Sequence, residues 1–187
     1  TPVMRLLLYN IRYAVGGGAS MHMPLPGAGY VLGNKDVLPE ITNFVKSIDP
    51  DIVGLIEVDT GYIRSRMVNQ AEQIASDLGM NTSYETKYGT RSINTMLPIV
   101  RKQGNAFMAA ARVHGEKFHY FDTGIKRLII ELEMREFAVF LVHLSLKYRH
   151  RHLQLRRLYD LIEATEKPVI VAGDFNTFWG ENEIYLF

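Results

Sequence analysis

The stretch Val169-Ile-Val-Ala-Gly-Asp174-Phe-Asn176-Thr177 decides how the rest of the chain is read. Small and β-branched residues run straight into an acidic loop, the pattern of a buried strand whose C-terminal end carries chemistry. Gly173 permits a tight turn, and Asp174 and Asn176 then stand two apart. If extended backbone persists that far, the two side chains share one side, so that a carboxylate and an amide address one substrate atom. The competing reading is an Asx-type turn, which Asp and Asn form readily. Three more strands end in the same manner, at Asn10, Glu57 and His143.

Working outward, Leu155, Leu158, Leu161 and Ile162 recur at helical spacing and predict a helix over about Arg149 to Thr165. Before it, Arg127–Met134 and Phe137–His143 are apolar runs separated by Arg135-Glu136, a hairpin signal that predicts antiparallel pairing. Gly104–Ala111, Phe118–Phe121 and Asn81–Tyr88 read as shorter strands, and Val3–Tyr9 as the first one. Asp51-Ile-Val-Gly-Leu-Ile-Glu57 is apolar on both faces until its terminal carboxylate, which predicts a sheet covered on both sides. Val37, Ile41, Phe44, Val45 and Ile48 mark a helix ending before Pro50; Met67, Ala71, Ile74, Ala75 and Leu78 mark another, closed by Gly79. The Gly/Pro-rich loop from Gly16 to Gly29 is not a dinucleotide fingerprint, because no helix opens behind its glycines. Its Met21, His22 and Met23 read as a flap over a pocket in preference to a soft-metal site.

With 187 residues the chain suits a single domain over 1–187 with a sizeable core. The 21 Lys and Arg against 20 Asp and Glu leave a net charge of +1, so any hold on a polyanion must be local. Zero cysteines exclude disulfides, a thiol nucleophile and zinc–thiolate sites. No run resembles a signal peptide or approaches the roughly 18 apolar residues of a membrane span; the expectation is a cytoplasmic location, with a removed leader as the alternative.

Asn10, Glu57, His143, Asp174 and Asn176 form a coherent chemical set at strand ends, where ligands collect in sheets of this kind. A carboxylate with amide oxygens suits a hard divalent cation such as Mg2+, with Mn2+ as a substitute. Asp174 is suited to orient or deprotonate water, and His143 to hydrogen-bond an anionic oxygen. Together they point to metal-assisted hydrolysis of a phosphate ester. Lys147 and Arg149, on the loop after His143, are candidate phosphate contacts, within a basic run continuing through His150, Arg151 and His152. Arg156 and Arg157 read as a solvated helix face, and Trp179 as a stacking platform or a cap on the core.

Leu8-Tyr-Asn10-Ile11-Arg12, Asp51–Glu57, Gly104-Asn105-Ala106, Lys126-Arg127-Leu128, Val142-His143-Leu144-Ser145 and Gly173-Asp174-Phe175-Asn176 occur in an order that resembles the endonuclease/exonuclease/phosphatase (DNase I-like) superfamily. The resemblance implies an α/β (α+β) four-layer sandwich of two mostly antiparallel sheets flanked by helices. It implies that Asn10 and Glu57 hold the metal, that His143 and Asn176 contact the scissile phosphate, and that Asp174 serves the attacking water. Asn105 and Arg127 fall at substrate-contacting positions. The substrate is then a nucleic acid, a small phosphorylated molecule or a phospholipid headgroup. One departure stands out: the family carries an Asp-His pair near its C-terminus, and no Asp-His dipeptide occurs here. The expectation is therefore a domain lacking its C-terminal strands; the alternative is a relative that binds phosphate without turning it over.

Overall fold

The computed structural model describes residues 4–14, 37–59, 69–86, 103–110, 113–122, 128–178 and 184. The chain divides into two compact units, Thr1–Ala111 and Arg112–Phe187. The first contains β1 (Leu6–Asn10), α1 (Val37–Ile48), β2 (Ile52–Asp59), α2 (Gln70–Leu78), β3 (Asn81–Thr86) and β4 (Gln103–Ala109). Its sheet has the order β1-β2-β4-β3, with β1 parallel to β2 and β4 antiparallel to both neighbours. A parallel pair needs a long crossover, and the stretch containing α1 supplies it. Ile41 and Val45 of α1 and Ala71, Ile74 and Ala75 of α2 pack on Val53, Leu55, Val58, Ala106 and Met108. On the other face of the sheet Ile52, Ile56 and Phe107 are fully buried as well. The strand at Asp51–Glu57 is thus apolar on both faces, as its sequence predicted.

Helix α2 is shorter than its predicted stripe because Asn69 stops it. The Asn69 side chain accepts from the N–H groups of Ala71 and Glu72, satisfying donors that the first turn leaves open. At the far end Gly79 adopts φ 67, the left-handed cap that favours glycine.

The second unit contains β5 (Gly115–Tyr120), β6 (Leu128–Glu133), β7 (Ala138–His143), α3 (Tyr148–Glu163) and β8 (Val169–Asp174). The sheet order is β5-β6-β7-β8; the first two pairings are antiparallel and β8 is parallel to β7. The Arg135-Glu136 hairpin forms as expected, closed by Met134 N–H donating to the Phe137 carbonyl at 2.9 Å. Leu155 and Leu158 of α3 pack on Phe140 and Val142, so α3 is the crossover that makes β8 parallel. Both sheets are mixed and mostly antiparallel, which is the expected fold class.

Other boundaries differ from the sequence reading as well. β2 runs past Glu57 to Asp59, β5 starts at Gly115 before the aromatic cluster, and α3 starts at Tyr148. The segment 87–102, the loop with Met21–Met23, Arg127 and Trp179 lie outside the described residues. Among the described residues no helix is long and apolar enough to cross a membrane.

Candidate active site

In the first unit, the parallel pairing sets Asn10 against Ile56, one residue before Glu57. Asn10 Oδ1 accepts from the Arg12 N–H at 3.0 Å and starts a tight turn, Arg12–Ala14, whose residues all have positive φ: 46, 60 and 52. Left-handed backbone costs an ordinary residue roughly 1 to 2 kcal/mol. Burial of Ile11, Tyr13 and Ala14 offsets this, and the buried Gln70 donates from Nε2 to the Tyr13 carbonyl at 2.9 Å.

Glu57 is held by a β-bulge. Leu55 pairs with Ala106 and Val58 with Gly104, so Ile56 and Glu57 together face Asn105 alone. Strict alternation would send residue 57 to the helix-covered face with Val53 and Leu55. The bulge, with Glu57 at φ 57, gives that place to Val58 and leaves Glu57 half-buried. Asn105 opposite it is 1% exposed, and its Oδ1 has no hydrogen-bond partner among the described residues. Such a buried acceptor costs about 1 to 3 kcal/mol and calls for a donor or a ligand.

In the second unit, His143 and Asp174 are register partners at the ends of parallel strands. Nε2 of His143 lies 3.6 Å from Oδ2 of Asp174; the imidazole is 1% exposed and the carboxylate 35%. That distance exceeds a hydrogen bond but is within reach of charge attraction. Close strand approach makes this possible. A Cβ on Gly173 would run into the Val142 carbonyl oxygen and lie 2.7 Å from Val142 Cγ2. Beyond Asp174 the extended backbone ends. Asp174 Oδ1 accepts from the Asn176 N–H at 3.1 Å, an Asx turn, and Asn176 adopts φ 50. The Asn176 amide then turns back and donates from Nδ2 to the Leu144 carbonyl at 2.9 Å. The turn reading of Asp174 and Asn176 therefore describes their backbone, and Oδ2 is the Asp174 oxygen that faces His143.

Among the described residues, six other than glycine have positive φ, and five of these lie just beyond β1 (Arg12, Tyr13, Ala14), in the β2 bulge (Glu57) or just beyond β8 (Asn176). Backbone strain concentrated in this way is typical of functional sites.

Lys147 and Arg149 are exposed at the start of α3. The α3 N-terminus has no side-chain cap and no acidic residue in its first turn, so its open N–H groups and the two cations add in sign.

A model of the Endonuclease/Exonuclease/phosphatase family matches residues 7–187. The chain belongs to that family. Among solved structures, a functionally unknown conserved protein from Enterococcus faecalis superposes with TM-score 0.65 at 16% identity, covering 98% of this chain and 71% of that one. A mannosyl-6-phosphatase of Bacteroides thetaiotaomicron gives TM-score 0.67 at 16% identity, covering 93% and 66%. The human Nocturnin catalytic domain with bound sulfate gives 0.62 at 19%, covering 98% and 68%. Other family structures are longer still, and the chain spans 48% to 58% of them. No curated protein matches the sequence. At these identities the likeness establishes the fold.

For this family member, the structure brings Asn10 next to the β2 bulge that carries Glu57, with Asn105 opposite, and it brings His143 to Asp174 and Asn176. It removes one residue from the basic run: Arg151 is 1% exposed and is no surface cation. Arg156 and Arg157 are exposed, as a solvated helix face should be. Sequence reading missed Gln70, took Arg151 for a surface cation and missed Gln154, all buried. For the latter two the signal was present. They precede Leu155 and Leu158 by one helical turn and so occupy the apolar stripe with polar side chains.

Proposed function

We propose that this chain hydrolyses a phosphate ester by attack of water on phosphorus, with Mg2+ or Mn2+ as the required cation. The observation that carries the reading is the pairing of His143 with Asp174 at the ends of parallel strands, a buried imidazole beside a half-exposed carboxylate. Membership of this family supports the reaction class, as do the phosphatase activity of the Bacteroides relative and the sulfate held by Nocturnin.

The donor set fits a hard cation. Asn10 and Glu57 offer an amide and a carboxylate oxygen from the neighbouring strands β1 and β2, and opposite Glu57 on β4 the buried Asn105 Oδ1 has no hydrogen-bond partner among the described residues. Asn10 and Glu57 would hold the ion, which supplies charge neutralisation at phosphoryl oxygens when bound. Asp174 Oδ2 orients the attacking water and takes its proton as the new P–O bond forms and the ester P–O bond breaks. His143 donates to a phosphoryl oxygen, and Asn176 stands at the same strand end as a further phosphate contact. Asn105 serves the substrate; Arg127, Lys147 and Arg149 carry positive charge to the phosphate or to the remainder of a nucleic acid, a small phosphorylated molecule or a phospholipid headgroup.

The test is hydrolysis of bis(p-nitrophenyl) phosphate with and without a chelator. Turnover is expected to need the divalent cation, and Glu57→Ala should lower kcat/KM by about 10² to 10⁴. Hydrolysis that is indifferent to cation and survives Glu57→Ala sinks the reading. The second reading is a phosphate-binding domain of the same fold without turnover. Cation-dependent turnover by this chain excludes it.

A further inference from the structure

Arg151 and Gln154 sit one turn apart on α3 and are each 1% exposed. Burying a guanidinium is costly unless hydrogen bonds replace its water, so its partners report what the site requires. Arg151 Nη1 donates to the carbonyls of Ser145 at 3.0 Å and Leu146 at 2.9 Å. Gln154 Oε1 accepts from the Ser145 N–H at 2.8 Å. The same loop is gripped from β8. Leu144 N–H donates to the Asp174 carbonyl at 2.9 Å, and the Leu144 carbonyl accepts from Asn176 Nδ2 at 2.9 Å. The guanidinium also lies 5.9 Å from the Phe178 ring centroid and 5.8 Å from that of Tyr148, so it touches the segment leaving Asn176 as well.

We infer that Arg151 and Gln154 are positioning residues that clamp the Ser145–Leu146 backbone and thereby fix His143 and Asn176 relative to Asp174. An imidazole on the last residue of a strand inherits any movement of the loop that follows. Displacement of about 1 Å at a reacting group costs on the order of 10²-fold in rate. Fixing the backbone of such a loop from a rigid helix is the efficient remedy, because the helix side chains are themselves locked by burial. The catalytic half of this inference rests on the proposed phosphoester hydrolysis; the structural half rests on the hydrogen bonds alone.

Gln154→Met preserves length and removes the acceptor, whereas Gln154→Glu preserves the acceptor. Two readouts on the 187-residue protein separate the halves: amide hydrogen exchange at Ser145, and kcat and KM for bis(p-nitrophenyl) phosphate with Mg2+. In Gln154→Met the Ser145 amide should exchange at least about tenfold faster while α1 and α2 amides keep their protection. Its kcat should fall about 10- to 100-fold with KM within about threefold, and Gln154→Glu should restore both readouts. Should Gln154→Met fail to fold, Arg151→Lys, which keeps the charge and loses the planar fork, is read in the same way. Unchanged Ser145 exchange with unchanged kcat in a folded variant overturns the clamp, and so does a loss that Gln154→Glu does not restore. If the wild-type chain does not turn the ester over, the function reading has failed, and Ser145 exchange alone decides the clamp.

Discussion

Asp174 uses its two carboxylate oxygens differently. Oδ1 accepts the Asn176 N–H and shapes the turn, while Oδ2 faces His143. Asp174→Asn can keep the turn, because an amide oxygen also accepts that N–H, but it removes the charge beside the imidazole. The expected outcome is a thermal midpoint close to wild type and a kcat lower by about 10² to 10⁴. A variant that loses stability and keeps kcat would make Asp174 a structural residue. At this scale the sequence was legible for position at a strand end, as with Asn10, His143 and Asp174. It was easily misread for Arg151, because an arginine in a basic run looks solvated until the helix is rotated into place. Only its spacing from Leu155 separates it from the exposed Arg156 and Arg157.

At the scale of elements, the helices and most strands follow from periodicity, but the β2 bulge does not. Ile52-Val-Gly-Leu-Ile56 has no polar alternation to interrupt, so an extra residue in the strand leaves no trace until its partner strand is known. Charged groups pin other element ends. Lys167, on the turn between α3 and β8, lies 2.7 Å from Glu133 Oε1 at the end of β6 and donates to the Met134 carbonyl at 2.9 Å. The Lys167 ammonium holds the Glu133 carboxyl below its ordinary value of 4.5. A carboxyl depressed in the folded state stabilises above its unfolded pKa, and the contribution is lost as pH falls through the folded pKa. Glu133→Gln should therefore melt slightly below wild type near neutral pH, with the gap closing below pH 4.5 and narrowing in high salt, because both side chains are about one-third exposed. A gap that persists unchanged in acid contradicts this. On β5 the sign is opposite. The Glu131 carboxylate, 3.0 Å from Lys117 Nζ, raises the Lys117 pKa above 10.5, so that contribution is present below 10.5 and disappears only in strong alkali.

At the scale of the molecule, each unit has one parallel strand pair among its described residues, β1 with β2 and β7 with β8, and these pairs carry Asn10, Glu57, His143 and Asp174. Crossovers through α1 and α3 bring the two C-terminal ends of each pair side by side, which antiparallel hairpins cannot do. Strand existence was readable, whereas strand order was not. Nothing local in β4 shows that it inserts between β2 and β3, because pairing is settled by packing against α1 and α2. Charge, in contrast, was readable in full and constrains the substrate. A net charge of +1 supplies no long-range field, so attraction to a polyanion must be local; among the described residues Lys147 and Arg149, at the uncapped start of α3, are the cations proposed for it. Each phosphate neutralised on duplex DNA contributes about −0.9 to the slope of log affinity against log salt. Two such contacts contribute about −2 to the slope, and Lys147→Ala with Arg149→Ala should reduce it by about that amount. A measured slope of about −6 or steeper would require many more phosphate contacts than these two residues make. It would then point to a long-duplex nuclease, in place of an enzyme that grips one phosphate locally.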